Sequence, residues 1–171
     1  MPRDAQLLAA QAVDVLAKYR RRVTVPEYVI LATALHDTSD TAGERGVLVQ
    51  AVADLSKETP FQQAIAWRKW ACFNFEQKDF RTARRAVRRS LDAVAPIDDV
   101  RRLDRFETLL SWFEYEVPEN AVEVAHLNSV LDQAEEVLRT VTVDEWRVKR
   151  LERVREARLR LDGKPTTPTQ P

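Results

Sequence analysis

Glycine is scarce, with three in 171 residues. Tight β-hairpins and phosphate-cradling loops both draw on glycine, so neither is expected here. The single cysteine, Cys72, excludes an intramolecular disulfide and is compatible with a reducing compartment. Only two histidines, His36 and His126, are available as general bases or metal ligands. No stretch approaches the ~18 consecutive apolar residues of a membrane span, and the first residues lack a signal-peptide apolar core. A cytoplasmic location, with no membrane partner, is the expectation. The formal net charge is zero, so nothing pulls the whole chain toward nucleic acid or lipid.

What the chain does contain is apolar and charged in a helical pattern. At 44% hydrophobic it has material for a real core, and its length suits one domain that buries roughly 68–70% of the unfolded surface. Arginines outnumber lysines 21 to 6, which points to a GC-rich genome such as that of a bacterium or its phage. Residues 60–98 and 142–171 are net basic and 99–141 net acidic. Neighbouring helices can satisfy such segments internally.

The apolar period and the punctuation predict an all-α fold of about eight antiparallel helices over 1–162, with 163–171 a flexible polar tail. A first helix is expected over about 4–22, carrying Leu8, Ala12, Val15, Leu16 and Tyr19. Thr24 and Glu27 bracket Pro26 as a capping box, and Thr59, Pro60 and Gln62 repeat that signal. The helix from Pro60 is apolar nearly all round, which marks it as central. The next, from Phe80, is two-faced: Phe80, Ala83, Val87, Leu91 and Val94 oppose Arg81, Arg84, Arg85, Arg88 and Arg89. Asp98 or Asp99 caps a sixth helix, Val117-Pro118 breaks the chain, and Thr142 with Glu145 forms a further capping box. Short loops imply antiparallel pairs starting near 25, 60 and 99, and spacings of about 35 and 39 residues fall in the range of stacked helical repeats.

The central pair, about 60–96, resembles a tetratricopeptide repeat. Trp67, Trp70 and Ala71 match the spacing on the first helix, with Trp70 in place of leucine, and Phe80 and Ala83 follow at the family's distances. Val87 stands where an aromatic is usual, Asn74 where tyrosine is usual, and Pro96 comes about one residue late. The resemblance implies that the first helix of each pair lines a concave groove for a peptide or protein segment. It would place Arg68, Lys69, Cys72, Phe75 and Glu76 on that groove. The family's clamp for a peptide carboxylate needs asparagine where Cys72 stands, so that ligand class is not expected. A generic helical bundle is the other architecture open to this pattern.

No catalytic or metal-ligating constellation is legible, and no cofactor is expected. Glu123 and His126 share a helical face, but a carboxylate-bridged di-metal bundle needs a second such motif, and Thr33 stands where it would precede His36. His36, Asp37 and Ser39 sit at a helix end, where capping is the ordinary use of Asp and Ser. Cys72 reads as a small core residue. Glu114, Glu116, Glu119 and Glu123 read as a solvated acidic patch around Pro118. The arginines of 81–89 form the best nucleic-acid stripe, but no aromatic residue is interleaved with them. The expected function is a non-enzymatic protein-protein interaction module, a scaffold or adaptor. The alternatives are a structural or assembly protein such as a virion component, or a nucleic-acid-binding accessory protein using the arginine stripe.

Overall fold

The computed structural model describes residues 23–53, 55–117 and 124–163. Within them the chain forms seven α-helices and no strand: α1 (Val25–Asp37), α2 (Thr41–Ala53), α3 (Pro60–Glu76), α4 (Phe80–Ala93), α5 (Asp99–Glu116), α6 (Val124–Arg139) and α7 (Asp144–Leu161). The helix expected over 4–22, the Pro118 turn and the tail beyond Gly163 lie outside the described residues. No helix among the described residues is long and apolar enough to cross a membrane.

Two of the three expected capping boxes form, and Asp98 caps α5 by accepting from the Arg101 N–H at 2.9 Å. Before α1, the Glu27 carboxylate accepts from the Thr24 N–H at 2.7 Å and from its hydroxyl at 2.9 Å. Before α3, Gln62 Oε1 accepts from the Thr59 N–H at 3.0 Å, and Thr59 Oγ1 accepts from the Gln62 N–H at 3.3 Å. Before α7 the expected Thr142–Glu145 box is replaced. Asp99 Oδ2, from the start of α5, accepts from the Thr142 N–H (3.0 Å), the Thr142 hydroxyl (2.5 Å) and the Val143 N–H (3.1 Å). A charged carboxylate is the stronger acceptor for orphan helix N–H groups. The Thr142 hydroxyl, followed by Arg102, holds the Asp99 carboxyl below its ordinary pKa.

The helices pack as antiparallel pairs, α1 with α2, α3 with α4 and α5 with α6, while α7 lies against α6. The expected central helix is α3, which touches α1, α2, α4 and α5. The first two pairs turn identically. Ser39 and Lys78 both adopt φ 60, and the N–H groups of Asp40 and Asp79 reach back to the Leu35 and Asn74 carbonyls. Each aspartate then caps the next helix, through Gly43 N–H at 2.9 Å and Thr82 N–H at 3.1 Å. This left-handed turn is a Schellman end fused to an N-cap, in which a non-glycine residue accepts a positive φ.

Apolar burial is divided into two clusters. The larger runs from α3 through α7 and includes Phe75, Val87, Phe106, Leu109, Leu110, Phe113, Leu131 and Leu138. The smaller joins α1, α2 and α3 through Ala32, Leu48 and Phe73. Trp70 packs against both. The two-faced reading of α4 is met: Ala83, Ala86, Val87 and Ser90 are buried, and the Ser90 hydroxyl donates to the Ala64 carbonyl at 2.9 Å. Small residues there let α3 and α4 approach closely. Trp67 and Trp70 are only partly buried, whereas Ala64, Ala66, Ala71, Phe73 and Phe75 are the buried apolar residues of α3. The indoles are too large to vanish at so tight a crossing, and Trp70 lies flat on Phe73 at 5.6 Å.

Candidate functional site

One face of α3 lies between α1 and α5, and its side chains reach to either side. Lys69 Nζ stands 3.5 Å from Thr33 Oγ1 on α1. Arg68 turns the other way and pairs with Asp104 of α5 at 2.5 Å. Glu76 does both: its Oε1 accepts from the Tyr115 hydroxyl of α5 at 2.8 Å, and its Oε2 lies 3.5 Å from His36 Nδ1 of α1. Cys72, one turn before Glu76, is half-buried. Thus α3 is linked through this face to both α1 and α5.

Of the five positions assigned to a groove, Lys69, Cys72 and Glu76 come together on this face. Phe75 does not. It is buried, stacked on the Tyr115 ring at 5.2 Å and edge-on to Phe80 at 6.2 Å. Phe75 lies about 100° round the helix from Glu76, turned into the core. Arg68 lies at the edge but is committed to Asp104, whose side chain is only 9% exposed. Burial raises the Asp104 pKa, and the Arg68 guanidinium opposes that rise. Arg68 therefore ties α3 to α5 and is not a free contact.

The electrostatics disfavour Cys72 as a nucleophile. Burial pushes the Cys72 thiol up, against smaller opposing effects of Lys69 and Arg68. Burial, then Cys72 and Glu76, also pushes the Tyr115 hydroxyl up. Both stay protonated at neutral pH, and a protonated thiol is a poor nucleophile.

Where the C-terminal ends of α1 and α3 meet the start of α2, His36, Glu44 and Glu76 converge, with His36 Nδ1 3.3 Å from Glu44 Oε2. Sequence reasoning missed this cluster. The three residues come from three helices and share no periodic spacing, so only the Asp40 turn could have hinted that His36 and Glu44 meet.

The arginine stripe of α4 is divided by its surroundings. Arg84 Nε donates to Glu116 Oε1 at 2.5 Å, and that carboxylate is wholly buried. Arg89 lies over the Trp67 ring at 4.6 Å. Arg81, Arg85 and Arg88 are exposed. Glu116 thus departs from the solvated acidic patch expected around Pro118; Glu119 and Glu123 lie outside the described residues. His126 Nε2 stands 3.8 Å from Glu116 Oε2, and its ring meets Trp112 edge-on at 5.2 Å. Three of the seven basic residues of α7 pair with carboxylates on other helices. Arg150 and Arg153 hold Glu107 at 3.2 and 2.9 Å, and Arg158 holds Asp132 and Glu135 at 2.7 and 3.1 Å. The acidic α5–α6 region is neutralised by its neighbours, as the uneven charge distribution allows. No protein-family model, curated protein or solved structure matches this chain.

Proposed function

We propose that the chain is a non-enzymatic interaction module, a tetratricopeptide-like stack of helix pairs whose α1–α3–α5 face takes a peptide or protein segment. The observation that carries the reading is the placement of α3 between α1 and α5, with Lys69, Cys72 and Glu76 on the shared face. The identical turns after α1 and α3 support a repeated unit. The groove offers a cation at Lys69, a carboxylate at Glu76, and hydroxyls at Thr33 and Tyr115. Such a mixture favours an extended polar segment with both charge signs over a uniformly charged polymer.

Selection of a displayed random-peptide library on the purified chain tests this. Selected peptides should lose binding to Lys69→Glu and Glu76→Lys and keep it with Arg85→Glu on the outer face of α4. Peptides indifferent to both groove variants would sink the reading. The nucleic-acid alternative has in its favour the exposed Arg81, Arg85 and Arg88, which share one face of α4. It requires single-stranded or duplex binding that weakens steeply with salt and is lost in Arg85→Glu with Arg88→Glu.

A further inference from the structure

We propose that His36, Glu44 and Glu76 form a binding site for a divalent first-row metal ion of the zinc class. The three side chains come from the last turn of α1, the first turn of α2 and the last residue of α3. Their donor atoms all lie within 4.8 Å of one another. His36 Nδ1 is 3.3 Å from Glu44 Oε2 and 3.5 Å from Glu76 Oε2. Two ligands of a tetrahedral zinc ion, each bound at ~2.0–2.2 Å, stand about 3.3–3.6 Å apart. Both His36 separations fall in that window, and the two carboxylate oxygens lie within 4.8 Å of each other. As hydrogen bonds they are poor, since a good N–H···O distance is ~2.9 Å and Nδ1 has at most one proton for two carboxylates.

The repeated turn shows that these residues depart from the packing of their own fold. Superposing the Ser39 turn on the Lys78 turn sets His36 on Phe75 and Glu44 on Ala83. Phe75 and Ala83 are buried apolar residues of the larger core. The first pair thus carries an imidazole and a buried carboxylate where the second carries a ring and a methyl. Of the three, Glu44 is buried, and a buried carboxylate is costly unless something compensates it. A cation shared by the three donors does so, and it relieves the repulsion between the two carboxylates.

The surroundings agree. The C-terminal ends of α1 and α3, where His36 and Glu76 sit, present the negative end of the helix dipole. Tyr115 occupies Glu76 Oε1 and leaves Oε2 for the ion, the kind of outer contact that orients a metal ligand. Lys69, the nearest cation on α3, lies two turns away and reaches Thr33. One imidazole nitrogen with carboxylate oxygens selects zinc, cobalt, iron or manganese over magnesium and calcium. The His36 side chain is half exposed, so the cluster is open to water.

The inference stands whether or not the groove takes a peptide, and metal alone tests it. Chelator-treated full-length protein is titrated with zinc chloride by calorimetry and melted with and without the ion. One zinc per chain should bind and raise the melting temperature. His36→Ala and Glu76→Gln should each weaken binding at least about tenfold and remove the thermal shift. Cys72→Ser and His126→Ala should bind as the wild type does, which separates this site from the thiol and from the Glu116 pair. Cobalt should give visible d–d absorption in the wild type that is lost in Glu76→Gln. Absence of saturable binding up to about 1 mM, the weak end of measurable affinity, overturns the assignment. So does unchanged affinity in His36→Ala and Glu76→Gln, or loss in Cys72→Ser. Should His36→Ala fail to keep its circular dichroism, Glu76→Gln, on an exposed residue, decides alone.

Discussion

The two ends of the helix stack are held by different chemistry. From α3 to α7 the helices share a deep apolar core of phenylalanine, leucine and alanine, with buried ion pairs at its margin. Among the described residues, the α1–α2 pair buries Val25, Ala32, Leu48 and Ala51, meets α3 at Phe73, and has polar links from Glu44 and Lys69. Two of the three glycines, Gly43 and Gly46, also fall in α2. Apolar burial is non-directional and additive over area, so the larger region gains stability in proportion to its size. Polar links fix geometry and contribute less net stability. Among the described residues, the α1–α2 pair has the smaller apolar share, and it carries the polar cluster.

The largest test of this contrast is Phe106→Ala, which removes a fully buried ring from the larger core. It should cost about 3–5 kcal/mol by chemical denaturation and loosen every helix from α3 to α7. Arg84→Ala comes next, because it strands the buried Glu116 carboxylate. A loss of about 3 kcal/mol is expected, and restoring stability with Glu116→Gln in the same chain would identify the stranded charge as the cause. Leu48→Ala should cost about 2–3 kcal/mol, with faster amide exchange confined to α1 and α2. Exchange spreading evenly through α5 and α6 would break the division into two regions.

Smaller effects separate neighbouring residues on α3. Arg68→Ala leaves Asp104 buried without its partner and should destabilise by about 1–3 kcal/mol. Lys69→Ala, on the more open side, should stay within about 0.5 kcal/mol. Equal effects in a thermal melt would remove the distinction between a tie and a groove residue.

The smallest effect concerns pH. Burial raises the Glu44 pKa, His36 opposes this, Glu76 adds to it and Lys69 slightly opposes it. A carboxyl with a raised folded-state pKa favours the folded state below its unfolded pKa, near 4.5 here, and that contribution is lost as pH rises through the folded value. In metal-free protein, Glu44→Gln should therefore gain stability relative to wild type between pH 4.5 and 7, with the gap closing toward the acid end. A gap that widens toward acid would reverse the assignment.

Much of the fold was legible because helix signals are local. The boxes at Thr24 and Thr59 and the two-faced pattern of Phe80–Ala93 need only neighbouring residues to be read. The candidate site was legible only in part. Lys69, Cys72 and Glu76 share a helical face, and the resemblance to a helical repeat drew attention to it. Phe75 was misplaced because the family position gave a face where the 100° step puts a core residue. Glu116 was misread because its burial depends on Arg84, from another helix.

By itself, the sequence determined that the described chain is helical and where most helices begin and end, since apolar period and caps act within a few residues. Tertiary structure decided which charges are spent internally and which stay available. Arg68, Arg84, Arg150 and Arg153 look alike in sequence to Arg81, Arg85 and Arg88, yet the first four meet carboxylates on other helices and the last three are exposed. Tertiary structure also brought His36, Glu44 and Glu76 within 4.8 Å. A charge acts on whatever lies a few ångströms away in space, and no local pattern records that neighbour.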